Sequence, residues 1–326
     1  MEVKMNVQRL TSLLLPLLAP LGLAAQAPEC PRGILDVRFC DEDGDLLADV
    51  PTDPAELVDP DTLIFSYTPV EDPAVYADVW ADFLAHMEEV TGRRVQFFPV
   101  DSNAAQLEAM RAGRLHVAGF NTGGVPFAVN VAGFRPFAMM AAEDGSYGYE
   151  MEIIVPADSD IQEVADLRGR TLTFTEETSN SGFKAPSAIL QGEFGLVVGE
   201  DIEPLFSGGH DVSILGVANR DYEAASIANS VKARMIERGV VAADDFRVIY
   251  TSETFPTTAY GHVYNLEPEL AERVREAFFS YDWEGTPLQE EFSRSGEAQF
   301  IEISYEETWA VIRQIDEVTG VNYTAP

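Results

Sequence analysis

The feature that most constrains this chain is a strand-to-helix junction, Thr178-Ser179-Asn180-Ser181-Gly182-Phe183-Lys184-Ala185-Pro186, set inside a long alternation of apolar runs and helical patterns. The apolar run 171–175 precedes it and a helical pattern over 186–194 follows. Pro186 suits the first turn of that helix, where a missing N–H costs no helical hydrogen bond. Three small polar side chains and a glycine beside the free N–H groups of a helix N-terminus have the chemistry of an oxyanion cradle. The same residues would also serve as a solvent-facing cap.

Around this junction the alternation runs in two series. The first has apolar runs at 62–68, 95–100, 115–120 and 136–142, with helical patterns at 102–112 and 122–131. Ahead of the second run, Tyr76, Trp80, Phe83 and Met87 recur at three-to-four spacing on a helix ended by Gly92, the stripe of a core-facing helix and not of a cofactor box. An extended run at 148–156 leads into the second series, through 160–167, 171–175, 186–194, 212–218, 227–238 and 246–250. Beyond 251–256 the pattern is mostly helical, at 267–279, 287–294 and 305–318. This is an α/β chain rich in parallel strands. Without a flexible linker between the series, it predicts two α/β lobes joined by two crossing strands, lobe 1 from 62–150 and 254–326 and lobe 2 from 151–253. Ligands of open α/β sheets bind at the carboxyl ends of strands, so loops from both lobes should meet in the cleft. Tyr67 stands at the end of the first strand, and Thr122 opens a second strand-to-helix turn with Gly123 and Gly124.

The two ends and the charge narrow the setting. Residues 1–25 read as a cleaved secretory signal: Lys4 and Arg9, then an apolar segment over 10–23, then Ala24 and Ala25. Pro16, Pro20 and the segment's shortness argue against a membrane anchor, so a soluble periplasmic protein is expected. Residues 26–61 form an acidic extension whose Cys30 and Cys40, the only 2 cysteines, predict a disulfide in an oxidising compartment. His86, His116, His210 and His262 show no ligand spacing, so no metal is expected from them. Asp41-Glu42-Asp43-Gly44-Asp45, with Asp49 beyond, is faintly calcium-like, but its glycine is misplaced for an EF-hand loop and a solvated acidic loop is the default. The formal net charge of −34 argues against nucleic acid or anionic membranes as partners. It suits a halophilic setting, where the Debye length falls to about 3 Å at 1 M salt. Such a surface repels anions at long range, so an anion site must act at short range through fixed dipoles.

These residues carry a resemblance. The chain resembles the phosphate/phosphite/phosphonate-binding proteins of ABC importers, two-lobed periplasmic binding proteins of type II, over roughly residues 62–282. The stretches concerned are 106–120, 166–174, the Ser-x-Ser-Gly-x-x-x-Pro loop of 179–186, and Gly209-His210-Asp211 leading into Gly216-Val217-Ala218-Asn219. The resemblance implies a monomer without cofactor or catalytic activity that captures phosphite, phosphate or a short phosphonate for an inner-membrane ABC permease. It assigns Ser179, Asn180, Ser181 and Gly182 to the anion-holding loop and His210 to a histidine reaching the oxyanion from the next strand. On the opposite lobe, Phe120 and Asn103 stand where relatives carry tyrosines. Ser230 and Thr258 replace the two carboxylates that hold the amine of aminoethylphosphonate. That ligand should therefore bind poorly, since an unpaired buried charge is costly. Neither cysteine is placed for an arsenite site. Two alternatives share the sequence: a ligand-binding partner of a membrane sensor kinase, and a hydrolase using Ser181 and His210. The hydrolase lacks a Gly-x-Ser-x-Gly elbow and any orienting acid beyond the adjacent Asp211. Lys184, inside the cradle loop, is expected to be structural or at the surface.

Overall fold

The computed structural model describes residues 30–323, so the expected signal segment at 1–25 lies outside the described residues. The disulfide Cys30–Cys40 is present. After it, one carboxylate oxygen each from Asp41, Asp43 and Asp45 lie within 4.8 Å of one another. No helix among the described residues is long and apolar enough to cross a membrane.

The chain then builds β1 (Thr62–Tyr67), α1 (Tyr76–Val79), α2 (Ala81–Thr91), β2 (Arg94–Phe97), α3 (Asn103–Arg111), β3 (Val117–Phe120), α4 (Val125–Ala132) and β4 (Phe134–Ala141). It crosses through β5 (Tyr149–Pro156) into β6 (Thr171–Phe174), a π-turn (Asn180–Lys184), α5 (Ala185–Phe194), β7 (Glu203–Phe206), α6 (His210–Ala218), β8 (Ala225–Ala228), α7 (Asn229–Glu237) and β9 (Phe246–Phe255). The chain returns through β10 (Ala259–Val263) to α8 (Pro268–Phe279), α9 (Pro287–Phe292), β11 (Gln299–Glu302), α10 (Tyr305–Thr308) and α11 (Ala310–Val318).

Two sheets result. The first has six strands in the order β11-β4-β10-β3-β1-β2 and the second five in the order β7-β6-β8-β5-β9. In the first, β1 runs parallel to β2 and β3, while β10 lies antiparallel between β3 and β4, and β11 pairs antiparallel with β4. In the second, β6 is parallel to β7 and β8, and β5 is antiparallel to β8 and β9. Both sheets are therefore mixed. The carboxyl-terminal helices α8 to α11 fall where the pattern placed them, but β10 and β11, which it did not show, insert into the first sheet. Strands of four or five residues with little β-branching, such as Ala-Tyr-Gly-His-Val and Ala-Ser-Ile-Ala, give neither a period nor a propensity to read. Glu-Pro-Leu-Phe at β7 is exposed at every position, as an edge strand holding a proline can be.

Local signals set the element ends. Ser102 caps α3 through its side chain, which accepts from Ala105 N at 3.2 Å. Gly92 ends α2 at φ +67°. Tyr76, Trp80, Phe83 and Met87 are all buried against β1, β10 and α9, where Trp80 packs on Phe65, Tyr260 and Phe292 with centroids 4.9, 5.5 and 6.1 Å away. Each such ring contributes about 1.5–3 kcal/mol by leaving water. This aromatic block fixes Tyr67, at the end of β1, where the two sheets face each other.

Candidate functional site

The cradle loop is anchored by a close packing only glycine permits. Gly182 lies so near Thr175 that an added Cβ would overlap its Oγ1 and crowd Ser179 Oγ at 2.7 Å. Ser179 is extended at φ −68° and ψ 132°, and its Oγ accepts from Gly182 N at 3.1 Å. The next residues form one π-turn, a distortion frequent at functional positions. Because the turn begins there, the N–H groups of Asn180 and Ser181 precede its first bond and find no protein acceptor among the described residues. Ser181 Oγ also makes no bond to protein among them, although the residue is buried.

The Asn180 side chain is turned to Tyr149. Its amide contacts Tyr149 Oη at 3.3 Å through Nδ2, leaving Oδ1 buried and without a partner. Exchanging amide N and O would let Tyr149 donate to Oδ1.

His210 is the first residue of α6 and not of a strand. Its ring Nδ1 accepts from Ala228 N at 3.1 Å, so in the neutral ring the proton sits on Nε2. Burial pushes its pKa down to about 4, against the opposing pull of Glu71, and Arg234 lowers it further. His210 is thus a neutral Nε2–H donor. With Nδ1 held by a backbone N–H, it has no acid to orient it as the base of a Ser-His pair.

These groups line one cavity of about 60 Å³ between the sheets. Ser179, Asn180, Ser181 and His210 line it from one side; Tyr67 and Thr122 line it from the other. Thr122 is fixed by its hydroxyl on Pro256 O at 2.8 Å and by Trp309 Nε1 on its own carbonyl at 2.9 Å.

Three expected residues do not line it. Gly182 spends its N–H on Ser179 and shapes the loop from behind. Phe120 is buried against Phe134, centroids 4.9 Å apart, because the final residue of β3 points its ring into the core. Asn103 instead bridges the lobes. It donates to Thr178 Oγ1 at 3.0 Å and accepts from Asn121 Nδ2 at 2.7 Å. Asn121, which sequence reasoning passed over, itself lines the cavity.

Lys184 does not reach the surface. It donates to Gly123 O at 2.9 Å and pairs with Asp316 at 2.6 Å, both side chains almost wholly buried. Burial holds the lysine's pKa below its ordinary value, with Asp316 offsetting only part of the shift. Gly123 fits against the cradle so closely that a Cβ would overlap Thr178 O. With His210 N on Val70 O at 3.2 Å and Asp72 N on Asp211 Oδ2 at 3.3 Å, bonds between the lobes surround the cavity.

Sequence reasoning also missed the charged wall. Ser230 and Thr258 line the cavity, but so do Arg234 and Glu297. Arg234 donates to Glu71 Oε1 at 3.0 Å and to Ser295 Oγ at 3.1 Å. Burial holds the Glu297 pKa above the ordinary carboxylate value, with Arg234 and the Ser295 hydroxyl opposing it only in part. Beside the neutral Ser230 and Thr258, the lining therefore holds a carboxyl group supplied by a different part of the chain, Glu297. The one legible signal was that Arg234 falls on the Val231/Met235 face of α7, an apolar stripe where arginine is out of place.

Two α/β lobes meeting over a small cavity lined by hydrogen-bond donors define a type II periplasmic binding fold. The model of the family described as the periplasmic phosphonate substrate-binding protein of ABC transporters matches residues 65–308, and the chain belongs to that family. Its members are periplasmic substrate-binding components of transporters and not enzymes. The chain is 28% identical over 279 residues to a phosphate-import protein of Mycolicibacterium smegmatis, covering 81% of this chain and 85% of the relative. Among solved structures, a binding component of an ABC phosphonate transporter from Pseudomonas aeruginosa matches with TM-score 0.73 and 22% identity, over 82% of this chain and 90% of the other. A Prochlorococcus marinus protein solved with methylphosphonate matches with TM-score 0.70 and 15% identity, over 80% and 99%.

Proposed function

We propose that this protein captures a small phosphorus oxyanion, namely phosphite, phosphate or a short phosphonate, between its two lobes and delivers it to an ABC permease. The observation that carries this reading is the convergence of uncommitted donors on one small cavity: the N–H groups of Asn180 and Ser181, the Ser181 hydroxyl and the Nε2–H of neutral His210. Tyr67 and Thr122 close the cavity from the other lobe. Family membership and the phosphate-import relative support the ligand class.

Short-range dipoles fit the protein's charge. A formal −34 repels an approaching anion, but inside a water-poor cavity oriented donors act at low dielectric without reorganising. Each hydrogen bond to a charged oxygen adds about 1.5–3 kcal/mol, so three or four such bonds sum to roughly 4.5–12 kcal/mol, a span that includes the roughly 8 kcal/mol of micromolar binding. Calorimetric titration with phosphite, phosphate, methylphosphonate and sulfate tests the reading. Saturable binding of at least one phosphorus oxyanion is expected; absence of heat and of any thermal shift with all of them would overturn it.

A further inference from the structure

The cavity is lined by two chemically different sets of groups. The cradle offers neutral donors, which suit three oxygens of a tetrahedral anion. The lining also holds Arg234 and Glu297, and these two are connected: Arg234 donates to Ser295 Oγ at 3.1 Å, and Ser295 Oγ donates to Glu297 Oε2. Glu71 holds the other side of the guanidinium at 3.0 Å, and Arg238 pairs with the second oxygen of Glu71. Arg234 Nε still has no hydrogen-bond partner, with Glu291 Oε1 3.6 Å away, although the side chain is only 4% exposed.

Resting on the oxyanion reading, we propose that Glu297, oriented through Ser295 by Arg234, reads the fourth substituent of the ligand and selects one that carries a P–OH there, which is phosphate. A carboxylate accepts a hydrogen bond from P–OH and finds nothing to accept from a methyl group or from the P–H of phosphite. A buried polar wall left unpaired is costly, and sites built to bond a hydroxyl discriminate strongly against analogues lacking it. An alkylammonium tail would also meet the Glu297 carboxylate, but Arg234 stands beside it with the same charge as the tail. The cavity of about 60 Å³ leaves little room beyond the oxyanion itself.

The test is calorimetry of wild type, Glu297→Leu and Glu297→Gln against phosphate, methylphosphonate and 2-aminoethylphosphonate, with melting curves to confirm folding. Wild type should prefer phosphate over methylphosphonate by about tenfold or more, the worth of one charge-assisted bond. Glu297→Leu should lose that preference by weakening phosphate alone, whereas Glu297→Gln, which still accepts a hydrogen bond, should keep most of it. Equal wild-type affinities, a parallel loss for both ligands in Glu297→Leu, or tightest binding of the aminated ligand would overturn the assignment. Failure of wild type to bind any of the three would instead remove the oxyanion reading beneath it.

Discussion

At the scale of single residues, Ser181 and His210 do different work. Ser181→Ala removes a hydroxyl that bonds no protein group among the described residues, so the fold should be untouched and the unliganded melting temperature unchanged. Binding should weaken by about 1–3 kcal/mol, because a buried anion oxygen loses a donor; parallel calorimetry and melting curves check both parts. His210 and His262 each have a pKa held down to about 4 by burial. Their unfolded forms titrate near 6.5 and so bind more protons than the folded forms between pH 6.5 and 4. This contribution to stability is complete above about 6.5 and is lost as pH falls towards 4, by about 3 kcal/mol for each ring. His262 lies outside the cavity, so His262→Asn should flatten the decline in denaturant midpoint between pH 7 and 5 relative to wild type. An unchanged slope would contradict the assigned shift.

At the scale of elements, the cradle was legible and its counterparts were not, for a physical reason. A strand, a run of small polar residues, a glycine and a first-turn proline are a local signal, because loop geometry and capping are decided within a few residues. Arg234 and Glu297 reach the cavity from α7 and from the segment before β11, far apart in sequence; Glu297 looks like an ordinary surface charge, and only the apolar stripe around Arg234 marks it. Phe120 shows the converse: its place at the end of β3 was readable, but the direction of its ring depended on Phe134. Lys184 belongs here too, since its partner Asp316 lies on α11, whose apolar face packs against α5 and the π-turn. Lys184→Met leaves the Asp316 carboxylate buried without its cation. It should cost about 3–5 kcal/mol of stability. The double change Lys184→Met with Asp316→Leu should recover much of that loss, as chemical denaturation of the four variants in a cycle would reveal. Full additivity would mean that the two side chains do not interact.

At the scale of the whole molecule, the two sheets communicate through β5 and β9, which pair antiparallel and carry the chain out of the first sheet and back. The bonds ringing the cavity describe lobes drawn together, with Gly123 of one against the cradle of the other. Gly123→Val should hold the lobes apart and cut affinity without unfolding either core. Scattering would then show a radius of gyration in the variant that ligand no longer reduces, against a decrease in wild type. The net charge of −34 acts on the same scale. Screening carboxylate repulsion should raise the melting temperature from low to molar sodium chloride, and a flat or falling curve would contradict a halophilic surface.

The central claim is that an anion sits between the lobes on the Ser179–Gly182 loop. Crystals grown with phosphate and with methylphosphonate test it most directly. The account predicts tetrahedral density within about 2.6–3.1 Å of Ser181 Oγ, of the Asn180 and Ser181 N–H groups and of His210 Nε2. An empty cavity at saturating ligand, with the anion bound elsewhere on a protein that calorimetry shows to be occupied, would contradict it.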